Sequence, residues 1–304
     1  LKNYNYICCD ALELLKPYLK NFASQSKNIC KISMPHGSDF PYHNDYKNIK
    51  KNNLGYNFKI ILFSKTKEEK NYYQAKFKLK DSNYFRIGNP KHDKKWIKKI
   101  TKDNNDKYFY SKKKYVFLIS RHSDREFFSS ENKIKTLKII KKMIKNKKKY
   151  NLIIKLHPKE QYKEYYYDIF DKKLYNRTWK FSNDHPYNIS KNAFFSLSFF
   201  SGVATDMNIS GTPNIEFLSL KSVKNSLKSV KNPNHEDLFF KKNIPMFRIR
   251  YLDLTLGVDN EIELEKLVEL IEKNKKKTIL FLQKNYYKHY VSTESTKKII
   301  KIFN

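Results

Sequence analysis

Glycine is scarce in this chain, at 6 of 304 residues. No G-x-G-x-x-G run opens a helix, so a pyrophosphate cradled on that backbone fingerprint is excluded. Cysteine is scarcer still. Cys8, Cys9 and Cys30 are odd in number and lack metal-ligand spacing, which argues against a disulfide-stapled fold and fits a reducing compartment. No apolar run approaches the ~20 residues of a membrane helix, and no signal peptide is evident. Arginine is limited to Arg86, Arg121, Arg125, Arg177, Arg248 and Arg250. Sequence-specific DNA readers lean on arginine forks, so no specific nucleic-acid partner is expected. There is no D-x-D cluster and no internal repeat. The chain opens on Leu1 rather than methionine, so residues are expected to precede it.

Against these absences stand 23 Tyr, 22 Phe and a 39% hydrophobic content, enough for one large or two medium domains with true cores. Lysine and arginine total 63 against 30 acidic residues, a net charge of +33. The lysines recur in every segment, as in "KIIKKMIKNKKKY". Such a surface is attracted to polyanions, anionic lipid among them.

Short apolar runs alternate with amphipathic lysine-rich stretches, the pattern of an α/β chain with parallel sheets. "NYICC", "ICKISM", "FKIILF" and "NYFRI" read as strands of a first domain, with Asp10 capping a helix after the first. The polar stretch "TKDNNDKYFYSKKK" reads as a linker, giving domains over residues 1–105 and 106–304. In the second, "YVFLIS", "NLIIKLHP", "AFFSLS" and "NIEFL" are strands. "SGVATDMNIS" is a helix. Two helices form the tail, the last predicted to return to the first domain.

Polar groups in parallel α/β sheets act at the carboxyl ends of strands. Candidate clusters there are Pro35–Asp39, Gly88–Asp93, His157-Pro158 and Ser201-Gly202. Gly202 would let a phosphate approach a helix N-terminus, with Ser201 adding a hydroxyl; the other reading is an ordinary serine cap. His157 is either a phosphate donor or a turn residue whose exit Pro158 fixes. His185-Pro186 repeats the dipeptide after "FSND" and reads as local structure.

Taken in order, HG, G-x-P-x-x-D, K-L-H-P and S-x-x-x-x-D-x-x-x-x-G-x-P resemble the CDP-glycerol glycerophosphotransferases of wall teichoic acid and capsule synthesis. They are also similar to the bacterial sialyl- and Kdo-type transferases of capsule and lipopolysaccharide. The likeness spans about residues 32–217. It implies a GT-B fold, two Rossmann-like domains facing across a cleft. Two departures stand out: Ser201-Gly202 replaces a serine pair, and "MPHGSDF" replaces a tryptophan-HG-threonine-proline motif. They loosen the glycerol assignment and keep a nucleotide-activated donor.

The resemblance implies a metal-independent transferase without cofactor. It would move a sugar or polyol phosphate from a CMP- or CDP-type donor to a surface polysaccharide or lipid-linked glycan. His157, Pro158, Ser201, Gly202, Ser120 and Arg121 would hold the nucleotide phosphate, with His122 beside them. His36 or Asp39 would be the catalytic base, and Gly88 and Asp93 would brace a loop. The expected place is cytoplasmic, on the inner membrane face of a bacterium. A sugar-nucleotide epimerase of the same fold and a non-enzymatic polyanion-binding protein are the alternatives.

Overall fold

The computed structural model describes residues 6–10, 17, 21, 30–35, 58–102, 113–123, 128–160, 162–223, 238–291 and 294–303. The chain forms two compact units, one of residues 1–97 with 287–304 and one of residues 98–286.

The described strands of the first unit are β1 (Tyr6–Asp10), β2 (Cys30–Met34), β3 (Lys59–Leu62) and β4 (Tyr84–Arg86). They lie side by side in chain order, all parallel. Ile60, Ile61 and Leu62 are consecutive yet at most 1% exposed, because a sheet covered on both faces buries every residue. Asp10 ends β1 opposite Met34; residues 11–16, where the helix it is expected to cap would begin, lie outside the described residues.

Helix α1 (Lys67–Lys76) follows β3. Its Glu69, fully buried, accepts the Phe63 and Ser64 N–H groups and so closes the β3 turn. After β4, Gly88 adopts φ +103, and a Cβ there would stand 2.7 Å from the Val291 carbonyl oxygen. Only glycine fits that approach. Asp93 precedes α2 (Lys94–Lys102). Its carboxylate accepts the Ser295 and Thr296 N–H groups at 2.8 and 2.7 Å.

The second unit contains β5 (Lys114–Ile119), α3 (Ser130–Lys147), β6 (Tyr150–Lys155), α4 (Glu164–Phe170), β7 (Trp179–Phe181) and α5 (Pro186–Ser190). It continues through β8 (Ala193–Ser198), α6 (Val203–Ser210) and β9 (Asn214–Phe217). Then come a hairpin of β10 (Leu238–Lys241) and β11 (Ile244–Phe247), α7 (Arg248–Tyr251), β12 (Leu256–Val258) and α8 (Glu261–His289), of which the last three residues are counted with the first unit. A last helix, α9 (Ser295–Phe303), belongs to the first unit. The hairpin turns on Lys242 and Asn243, both at positive φ, the geometry of a twist-matched two-residue turn.

Six of these strands form one parallel sheet in the order β12-β9-β8-β5-β6-β7. The chain starts at β5, runs out through β6 and β7, then returns to β8 on the other side of β5. The reversal between β5 and β8 is the switch point of a Rossmann-type sheet, and ligands bind outside the strand ends there. The core under it includes Val116, Leu118, Leu152, Ile154, Phe195 and Leu197, all at 0% exposure.

Candidate functional site

Three neighbouring strands deliver their loops to one level, since Ile119 stands opposite Lys155 in β6 and opposite Ser198 in β8. The β5 loop carries Ser120, Arg121 and His122, the β6 loop His157 and Pro158, and the β8 loop Ser201 and Gly202. The middle loop touches both others. The His122 and His157 rings lie 4.8 Å apart. The Arg121 guanidinium sits 3.7 Å over the Phe200 ring and donates to the Phe200 carbonyl.

His157 is held in one tautomer. The Lys159 N–H donates to its Nδ1 at 3.1 Å, which requires a lone pair there and places the ring proton on Nε2. Burial pushes the imidazole below the ordinary histidine range, and His122 and Arg121 push it the same way against Glu160. The ring is therefore neutral near pH 7, with one N–H to donate.

Behind the loop lies a buried group that sequence reasoning missed. Glu160 has a side chain only 5% exposed. It accepts the His157 backbone N–H, the Tyr165 and Tyr166 hydroxyls, the Ser120 hydroxyl and the Lys133 ammonium. Burial raises its pKa, but Lys133 and the phenols outweigh that and hold the carboxyl below the ordinary range. Lys133, 4% exposed, also donates to the Arg121 carbonyl at 2.6 Å. One buried ion pair thus ties the Arg121 loop to the His157 loop. Ser120, 3% exposed and bonded to Glu160 and Tyr166, is a support of this network, not an open ligand group. The only signal in "HPKEQYKEYYY" is a glutamate close after the histidine, with tyrosines five and six residues further on.

On the β8 side, the Ser201 Oγ accepts the Val203 N–H at 3.3 Å, one residue before Gly202, the N-cap of α6. The next two N–H groups, of Ala204 and Thr205, are bonded to the Ser201 and Gly202 carbonyls. Three of the N–H groups expected to be free at this helix start are therefore engaged, and Ser201 keeps a hydroxyl proton to donate. Gly202 has ordinary helical angles, and a Cβ there would meet nothing within 4 Å. Its value is open space, not conformational freedom. Further along the same end of the sheet, a cavity of about 170 Å³ is lined by Phe217 and Ser219 after β9, Asp259 and Asn260 after β12, and Asn132 of α3.

Gly88 and Asp93 lie in the first unit, with the backbone roles given above. Pro158 is exposed beside His157. His36 and Asp39 lie outside the described residues. Among the described residues, no group of three or more His, Cys, Asp and Glu is placed to hold a metal ion. None of the described helices is long and apolar enough to cross a membrane.

Two Rossmann-like units with parallel sheets define a GT-B-type fold. Solved structures of this shape include the wall teichoic acid polymerase TagF, at 14% identity and TM-score 0.57 over 91% of this chain and 68% of that one. The S. aureus MnaA-UDP co-structure matches at 11% identity and TM-score 0.52, covering 97% of this chain and 73% of the other. UDP-GlcNAc 2-epimerase from Methanocaldococcus jannaschii matches at 17% identity and TM-score 0.52, over 98% and 75%. No family model and no curated protein sequence matches the chain.

Proposed function

We propose that the chain is a transferase that takes a nucleotide-activated donor, of the CMP or CDP type, and acts on a glycan or lipid-linked acceptor at a membrane surface. The observation that carries this is His157: a neutral imidazole, its proton fixed on Nε2, at the end of a strand beside the switch point. A donor N–H aimed at a phosphate oxygen stabilises the leaving nucleotide as charge builds on it. Arg121 supplies fixed positive charge, and the Ser201 hydroxyl approaches from the β8 side, with Gly202 leaving room for the phosphate. The cavity beside β9 and β12 takes the nucleoside. The likeness to the teichoic acid polymerase TagF and to the MnaA-UDP complex supports a nucleotide-linked substrate on this fold.

The base belongs to the first unit, as His36 or Asp39. His36→Ala is expected to lower acceptor-dependent transfer by roughly 10²–10⁴-fold with nucleotide affinity unchanged. If Asp39→Asn is instead the inactive variant, the carboxylate is the base. The donor assignment is tested by calorimetric titration of CMP, CDP, UDP and GDP into wild type and His157→Ala. Salt-sensitive binding of any polyanion, with none of any nucleotide, would sink it.

A second reading is favoured by the 2-epimerase among the similar structures. It predicts UDP-sugar interconversion without an acceptor, which a product assay on UDP-GlcNAc alone decides.

A further inference from the structure

Helix α8 changes character at its kink, where Asn274 leaves helical geometry at φ −136. Before the kink it carries Glu261, Glu263, Glu265, Glu269 and Glu272. From Lys273 to His289 it carries Lys273, Lys275, Lys276, Lys277, Lys284 and Lys288, and no carboxylate. The helix dipole does not account for this. Lysines 275–277 stand at the start of the second segment, where backbone N–H groups disfavour positive charge, and the dipole acts only over the terminal turns.

The exposed residues of that segment share a face. At 3.6 residues per turn, Lys276, Lys277, Leu280, Lys284, Tyr287 and Lys288 span an arc of about 120°, and all are exposed. Thr278, Leu282 and Tyr286, on the other side, are buried. Leu280 is 65% exposed, Phe281 at the edge of the arc 48%, and Tyr287 38%. A face that only needed solvation would carry lysine without protruding Leu, Phe and Tyr. Lysines flanking large apolar side chains suit the boundary between phosphate headgroups and acyl chains, with long stems that let the ammonium groups reach outward.

We propose that this face of α8 docks the chain on an anionic lipid bilayer, its lysines on headgroup phosphates and Leu280, Phe281 and Tyr287 in the interfacial layer. The inference rests on the membrane-surface part of the proposed function and not on the donor assignment to His157.

The test is co-sedimentation with vesicles of phosphatidylcholine alone and of phosphatidylcholine with phosphatidylglycerol. Each basic residue near an anionic surface contributes about 5-fold in partitioning. Changing Lys276, Lys277, Lys284 and Lys288 together to Gln should therefore lower binding to the anionic vesicles about 10²–10³-fold. Leu280→Ser with Phe281→Ser should leave low-salt binding but abolish what persists at high salt. Calorimetric titration of CMP and CDP runs in parallel. Lost vesicle binding with unchanged nucleotide affinity supports the assignment. Vesicle binding through α8 in a chain that takes no nucleotide also supports it, while removing the donor reading. Three results would overturn it. One is vesicle binding unchanged in both α8 variants, including the case where Trp96→Ala on α2 abolishes it. The second is equal salt-dependent binding to RNA that the Leu280 and Phe281 changes do not affect. The third is a dimer, seen by sedimentation velocity, that Leu280→Ser dissolves in a chain that never binds vesicles.

Discussion

The second unit contains the same dipeptide twice, His157-Pro158 and His185-Pro186, and uses it in two ways. The local bond is shared: each Nδ1 accepts the N–H two residues on, from Lys159 at 3.1 Å and from Tyr187 at 3.3 Å. The surroundings differ. His185 starts the short helix α5 and stacks on Tyr187. His157 follows β6, the neighbour of the middle strand β5, faces His122 and has its backbone N–H held by buried Glu160. A histidine before proline thus sets a turn, and its position in the sheet decides whether that turn can serve chemistry.

The largest expected effect is on transfer. His157→Ala should cut it by about 10²–10³-fold, the usual loss for one positioned donor, and weaken CMP or CDP binding. His185→Ala should leave both near wild type. Equal losses in a transfer assay would erase the distinction between the two sites. Next comes Lys133→Met, which leaves Glu160 charged and buried. It should lower folding stability by ~3–5 kcal/mol, read from denaturant midpoints. Glu160→Gln keeps an acceptor for the His157 N–H and should cost less.

The same glutamate sharpens the comparison through pH. Its carboxyl is held below its ordinary range in the folded chain, so its stabilisation is fully present above the unfolded value of about 4.3. It is lost as pH falls through the lower folded value. Melting curves between pH 3 and 7 should show that acid loss in wild type and a flatter profile in Glu160→Gln. No change on substitution would show that Glu160 does not anchor the loop. The smallest effect is His185→Ala on stability, the ~1 kcal/mol of a lost cap.

Much of this was readable in the sequence. "AFFSLS" is strand β8 residue for residue, because an apolar run between polar stretches has few alternatives. His157 and Ser201 were visible as polar residues at strand ends. The 238–247 hairpin and the short β7 and β12 were not foreseen: "WKF" and "LGV" break their apolar residues with a lysine and a glycine. Nor was Lys133. In a chain with this much lysine, nothing local marks the one that α3 turns inward toward Glu160. The place of Ser120 at a strand end is legible in the sequence, whereas the direction of its hydroxyl, toward Glu160 and Tyr166, is not.

The order of the second sheet also bears on how a ribosome delivers it. The middle strand β5 is made before any other strand of its sheet. Its partner β6 arrives some 35 residues later, but β8, on its other edge, is about 80 residues away. At roughly 5–20 residues per second, the run "YVFLIS" keeps one unpaired edge for about 4–16 s of synthesis. Nascent chains stalled before residue 193 are therefore the ones expected to recruit chaperones or cross-pair with their neighbours on a polysome.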